Sequence, residues 1–226
     1  MSYQIKVQLN EKLFVRNPND TELGKKIINE SILMIDELGF ELFTFKKLAL
    51  QMESTEASIY RYFESKHKLL IYLISWYWVW LDFQITFKTN NIKSPQERLK
   101  TIIQILSQLQ VDDPDTEINE SALYRIVVAE SSKAYLTKLV DTANKDGLYR
   151  EYKTICKKIA SVILEIDPSC KYPHSLITTV IEASHSQVFF AIHLPSLTDI
   201  KVAGTDYSQL EGYLWFLLTS TIQNLK

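Results

Sequence analysis

Five glycines and six prolines are spread over 226 residues, so this chain has few places at which to turn sharply. A many-stranded β fold needs turns at short, regular intervals, and those turns draw heavily on both residue types. Long helices do not. The breakers that are present separate stretches in which apolar residues recur at three- and four-residue spacing. The fold expected is therefore all-α. Apolar residues at 46% supply a core, and charged residues at 23% are the ordinary share of a folded protein.

A first helix is expected from Thr21 to about Leu38, capped by Asn19 or Asp20 and ended by Gly39. Ahead of it, Ile5, Val7, Leu9, Leu13 and Val15 alternate loosely, which suggests a short strand pair or an extended arm. Three helical pieces follow in quick succession, two of them short: Phe45 to Met52 behind Thr44, a second piece behind Thr55, and a long apolar helix opened by Lys66 and running to about Phe87. Further helices are expected at about 95–109, 117–131, 133–143, 148–166, 174–194 and 207–225, with a loop at Asp112 to Asp115.

Several functions are disfavoured. A net charge of −2 does not suit a protein coated in positive charge, although a local basic patch remains compatible. Cys156 and Cys170 match no metal or redox spacing and read as reduced thiols. His67, His174, His185 and His193 form no i, i+4 ligand pair, and the isolated glycines build no phosphate loop. No catalytic residue, metal or cofactor is expected. The apolar run Leu69 to Leu81 falls short of the about 20 residues that span a bilayer, and the charged N-terminus does not resemble a signal peptide. A cytoplasmic protein without a membrane role is expected.

Two short helices joined by a tight turn form the helix-turn-helix layout, whose second helix enters the major groove. With Ile59 and Phe63 buried, the second helix would turn Glu56, Ala57, Ser58, Tyr60, Arg61 and Tyr62 outward. Short side chains at its start let it approach base edges, while tyrosine hydroxyls, Arg61 and Lys66 would bond phosphates. Residues 44 to 70 hold five basic residues against three carboxylates. Lys12, Arg16, Lys25 and Lys26 would enlarge that footprint if the arm and first helix flank the duplex.

From Phe43 to Leu70 the string FTFKKLALQMESTEASIYRYFESKHKLL resembles, without a gap, the DNA-binding signature of the TetR family of bacterial repressors. The resemblance implies base-edge contacts from Lys46, Glu56, Ala57 and Ser58, and backbone contacts from Thr44, Tyr60, Tyr62 and Lys66, with Arg61 at a further contact position. It implies an N-terminal three-helix DNA-binding domain, a helical ligand-binding and dimerisation domain, double-stranded DNA and a small-molecule effector as partners, and a homodimer. The corresponding divisions are an arm at 1–19, the helix-turn-helix domain at 20–66 and the larger domain at 67–226. Glu53 stands where the family's turn usually has Gly, so this position must adopt a left-handed backbone or a different turn. Glu56 stands where Lys or Gln is common.

The larger part resembles the family only in helical layout. Trp76, Trp80 and Phe83 are candidate effector-binding residues, because aromatic rings cover nearly every side of the long helix, and Tyr124 and Tyr149 join them as residues that could supply polar contacts to a ligand. Val180, Val188, Leu214 and Leu218, on the last two helices, are its candidate dimer-interface residues. The reading is a ligand-responsive repressor of a near-palindromic operator. The alternative is a cytosolic small-molecule-binding or scaffolding dimer that has lost DNA binding.

Overall fold

The computed structural model describes residues 8–108, 118–204 and 206–225, the side chain at 224 excepted. The expectations at Ile5, Val7, Leu109 and the 112–115 loop lie outside these residues. Among the described residues there are eleven α-helices and no strand: α1 Glu22–Leu42, α2 Phe45–Gln51, α3 Glu56–Tyr60, α4 Lys66–Thr89, α5 Pro95–Ser107, α6 Glu120–Glu130, α7 Ser132–Tyr135, α8 Val140–Lys145, α9 Arg150–Ile166, α10 Pro173–His193 and α11 Ser208–Thr221. The all-α expectation holds. The chain divides into two compact units, one of Met1–Trp80 with Gln110–Glu151, the other of Leu81–Leu109 with Tyr152–Lys226.

In the first unit, the Thr21 hydroxyl accepts from the Gly24 amide at 3.0 Å and starts α1, one residue beyond the caps expected. Gly39, at φ 76°, breaks the helix in its last turns. Only glycine takes that conformation without steric cost. The buried face of α1, with Ile27, Ile28, Ile32 and Ile35, packs along α6, which buries Ala122, Leu123, Ile126 and Val127. Each large aliphatic side chain so buried contributes about 2 kcal/mol. At the rim, Arg125 on α6 forks onto Asp36 on α1 at 2.9 and 2.7 Å.

In place of the strand pair or extended arm expected before α1, residues 8–20 form two short 3-10 turns, Glu11–Leu13 and Pro18–Asp20. Local side chains decide this. Asn10 accepts from the Lys12 amide and Asn17 from the Asn19 amide, closing each turn, while Leu9, Leu13 and Pro18 are buried. The helix expected at 133–143 is likewise interrupted between α7 and α8, where the Thr137 hydroxyl takes the Leu139 amide.

Helix α4 is long and apolar enough to cross a bilayer, but 72% of its most apolar stretch is buried inside the protein. It is a core helix. In the second unit, α5, α10 and α11 pack together through Leu99, Ile102 and Ile103, Ile177, Val180 and Ile181, and Leu210, Leu214 and Leu218. Arg98 pairs with Glu165, and Lys158 with Asp82 at 2.5 Å.

Candidate nucleic-acid interface

Helices α2 and α3 are each started by a threonine. The Thr44 hydroxyl accepts from the Lys47 amide and the Thr55 hydroxyl from the Ser58 amide, both at 3.2 Å, satisfying donors a helix start leaves open. Between them, Glu53 adopts φ 53°, so the left-handed alternative is the one realised. The Glu53 amide donates to the Leu50 carbonyl at 3.2 Å and the Ser54 amide to the Ala49 carbonyl at 2.8 Å, which closes α2 with a Schellman motif. A position favouring glycine is thus filled by a carboxylate, at a cost of about 1–2 kcal/mol. Behind the turn Phe45, Leu48, Ala49, Met52, Ile59 and Phe63 are buried together.

This packing leaves Lys46, Glu56, Ala57 and Arg61 exposed and Tyr60 half-exposed at 49%, its ring edge-on to Phe45 at 5.1 Å. Thr44 is exposed but spent in capping, and the half-buried Ser58 hydroxyl lies 2.9 Å from that of Thr55. Glu56 sits in the first turn of α3, where the helix dipole favours a carboxylate.

Two sequence expectations need correcting. Tyr62 does not face outward: it is 3% exposed, and its hydroxyl lies 2.7 Å from that of Thr21. Residue 62 follows the last helical turn, so the periodicity that placed it outside does not extend to it. Lys66 does not project as an unengaged cation. Its Nζ donates to the carbonyls of Phe40, Glu41 and Phe43 at 2.9, 3.1 and 3.1 Å and lies 4.7 Å from the Phe40 ring centre. It gathers the carbonyls that α1 leaves unpaired beyond its glycine kink.

That kink is held from α6 as well. Glu130, buried, accepts from the Phe40 amide at 3.0 Å, and Lys133 bridges Glu130 and Glu41 at 2.7 and 3.2 Å. The acid partners hold the Lys133 ammonium above its ordinary pKa. Sequence reasoning missed Glu130 because its partner is 90 positions away and nothing local marks it.

Most other cations here are engaged too. Lys47 donates to the Leu42 carbonyl, Lys68 to the Lys12 carbonyl, Lys12 to Asp146, Lys26 to the Met52 carbonyl, and Lys25 pairs with Glu22. Lys46 and Arg61 have no hydrogen-bond acceptor or carboxylate partner among the described residues. They are the charges available to an anionic ligand on α2 and at the C-terminal end of α3.

The candidate effector residues do not behave alike. Trp76, Trp80 and Tyr124 are buried in the first unit, where Tyr77 lies against Trp80 and Tyr124 at 6.1 and 6.2 Å between ring centres. The Tyr149 hydroxyl donates to the Ala134 carbonyl at 2.9 Å, which ties its polar end to α7. Phe83 is an outward residue of the second unit, stacked on the more exposed Phe87 at 6.1 Å, rather than a ring pointing into a core.

The candidate dimer residues are corrected more firmly. Val180, Val188, Leu214 and Leu218 are buried within the single chain, in the packing of α5, α10 and α11. The apolar side chains left outward there are Ile192, Leu194 and Leu197 at the end of α10 and beyond, and Phe216 on α11, 63% exposed. Cys156 is a buried thiol pushed up to about 12 by desolvation, which leaves it unreactive.

No protein-family model and no curated protein matches the chain. Solved structures do. The fatty acid degradation regulator FadR from Bacillus halodurans is 16% identical, with a TM-score of 0.59, over 86% of this chain and 97% of that one. AibR, solved in complex with isovaleryl coenzyme A and operator DNA, is 14% identical, with a TM-score of 0.57, over 86% and 98%. The superantigen PfiT is 13% identical, with a TM-score of 0.56, over 88% and 95%. These are likenesses of fold, and they extend over nearly the full length of each neighbour.

Proposed function

We propose that this chain, whose fold is that of the TetR-type regulators, is a ligand-responsive transcriptional repressor that binds a near-palindromic operator as a homodimer. The observation that carries the reading is the surface of α2 and α3. Two threonine-capped helices, fixed at a closed turn, expose short side chains at the start of α3 and leave Lys46 and Arg61 without an internal partner. Short side chains let a helix end approach base edges, and unengaged cations displace counterions from phosphates. That a protein of this fold was solved with operator DNA and an acyl coenzyme A supports the same assignment.

In this reading residues 20–66 bind DNA, and residues 67–226 bind a small molecule and dimerise, with 1–19 preceding both. Thr44, Lys46, Glu56, Ala57, Ser58, Tyr60 and Arg61 form the DNA face, Tyr62 and Lys66 hold that face in place, and Trp76, Trp80, Tyr124 and Tyr149 are the region the effector reaches. The partner subunit docks on the outward residues of α10 and α11. The protein works in the cytoplasm and needs no catalytic group, metal or cofactor. Its switch is a shift of population. An effector that prefers one spacing of the two recognition helices reduces affinity for half-sites about 34–36 Å apart only as far as it discriminates between the two spacings.

A second reading is a dimer of the same fold that has lost DNA binding. The exposed Glu56 at the start of α3 favours it, since a carboxylate there repels phosphates unless it accepts from a cytosine amino group. A fold shared with a superantigen makes the point that fold alone does not assign the role.

Fluorescence anisotropy with a mixed-sequence duplex separates the two. The regulator binds at low salt, with log affinity falling linearly in log salt, and the Lys46→Ala, Arg61→Ala double variant flattens that slope by about two units. Absence of binding by a folded wild-type protein supports the second reading.

A further inference from the structure

Residues 8–20 are built into the first unit as a strap whose seat is made by two of the chain's five glycines. A Cβ on Gly24 would fall 2.2 Å from the Pro18 carbonyl oxygen, so α1 carries glycine where the strap crosses it. At the other end Gly147, at φ 75°, would bring a Cβ within 3.3 Å of the Asn10 amide nitrogen. There the Asn10 side chain donates to the Asp146 carbonyl at 2.9 Å, and Lys12 pairs with the Asp146 carboxylate at 2.6 Å. Leu13 is fully buried, Lys68 donates to the Lys12 carbonyl at 2.6 Å, and Phe14 lies edge-on to Tyr72 at 6.2 Å.

The strap then runs beside the C-terminal end of α3. The Val15 amide donates to the Tyr62 carbonyl at 2.8 Å, and the Arg16 guanidinium lies over the Tyr62 ring at 5.7 Å. Tyr62 directly follows Arg61, so Arg16 is held next to the proposed DNA face by a backbone hydrogen bond and a ring contact. Of the nine basic residues between positions 8 and 70, six are occupied by acceptors within the protein, as described above. Lys46, Arg61 and Arg16 have no such partner among the described residues, and Arg16 is exposed.

The structure assigns Arg16 as a DNA phosphate contact, positioned by the strap rather than carried on a free arm. This rests on the regulator reading and extends it. Of the four basic residues that sequence reasoning placed in the flanking footprint, Lys12, Lys25 and Lys26 are engaged internally and Arg16 alone is available. A phosphate contact carries no sequence information, so Arg16 adds affinity and docking register, while α3 does the discriminating.

The test compares wild type, Arg16→Ala and Lys88→Ala on one mixed-sequence duplex across a salt series. Lys88 is an exposed cation of the second unit and controls for the loss of one unit of net charge. Arg16→Ala is expected to flatten the slope of log affinity on log salt by about 0.9, and to weaken binding roughly five- to tenfold near 0.1 M salt. Lys88→Ala is expected to leave the slope unchanged. Gly24→Ala, which unseats the strap, should reproduce the Arg16→Ala slope, and combining the two should add nothing further. An Arg16→Ala slope equal to wild type overturns the assignment while leaving the regulator reading intact. A folded wild-type protein that binds no duplex overturns both.

Discussion

Glu53 and Lys66 show how two charged side chains can have opposite effects on the same small unit. Glu53 holds a left-handed backbone that glycine would adopt freely, and it adds a negative charge beside the proposed DNA face. Glu53→Gly is therefore expected to stabilise the fold by about 1 kcal/mol, read as a higher urea midpoint, and to tighten DNA binding. A lower midpoint would show that the glutamate makes compensating contacts. Lys66→Met should cost about 2–3 kcal/mol, because three carbonyls lose a charged donor. Lys46→Met, by contrast, should leave stability within about 0.5 kcal/mol while flattening the salt dependence of binding. If both substitutions act on stability alike, the division between positioning and contacting lysines fails. His185 is a third case: burial pushes its pKa down to about 4, against 6.5 for an ordinary histidine. Between those values the unfolded chain takes the proton and the folded chain does not, so its neutral form favours folding above about pH 6.5 and stability falls toward pH 4. His185→Gln should lose less stability than wild type between pH 7 and pH 5, and an equal loss would assign the pH dependence to other groups.

At the scale of elements, what could be read from the sequence was what neighbouring residues decide among themselves. The threonine caps at 44 and 55, the closed turn at 53 and the buried faces of α2 and α3 all follow from residues within a few positions of one another. The strap, the clamp on the α1 kink and the true outer faces of α10 and α11 do not. Lys66 meets its carbonyls across 23 to 26 positions, Glu130 meets Phe40 across 90 and Lys12 meets Asp146 across 134, and no periodicity reports such partners. For α10 and α11 the apolar residues lie on more than one side, so a stripe could be found but not the side that the chain's own core would claim. Leu214 and Leu218 went to that core, and Phe216 stayed outside. The homodimer reading accordingly assigns different outcomes to adjacent turns of α11. Phe216→Glu should give a folded monomer in sedimentation, whereas Leu214→Glu, which buries a carboxylate, should unfold the chain. A Phe216→Glu protein that remains dimeric would move the interface elsewhere. Removing Glu130 by substitution with Ala should cost about 1–3 kcal/mol, since the Phe40 amide loses its buried acceptor.

For the molecule as a whole, a net charge of −2 means that any affinity for DNA must come from a few placed cations rather than from a general basic surface. In the proposed reading Lys46, Arg61 and Arg16 are those cations, and the remaining basic residues near α2 and α3 are engaged within the unit. A regulator built this way should bind non-specific DNA weakly and depend strongly on base contacts from α3. The most direct measurement is selection of bound sequences from a random duplex pool at a fixed salt concentration, with wild type and with the Arg61→Ala, Lys46→Ala double variant. Enrichment by wild type of two inverted half-sites about one helical turn apart, lost in the double variant, is the predicted result. Failure of a folded, dimeric wild-type protein to enrich any sequence, or equal enrichment by the double variant, would contradict the claim that α3 reads DNA.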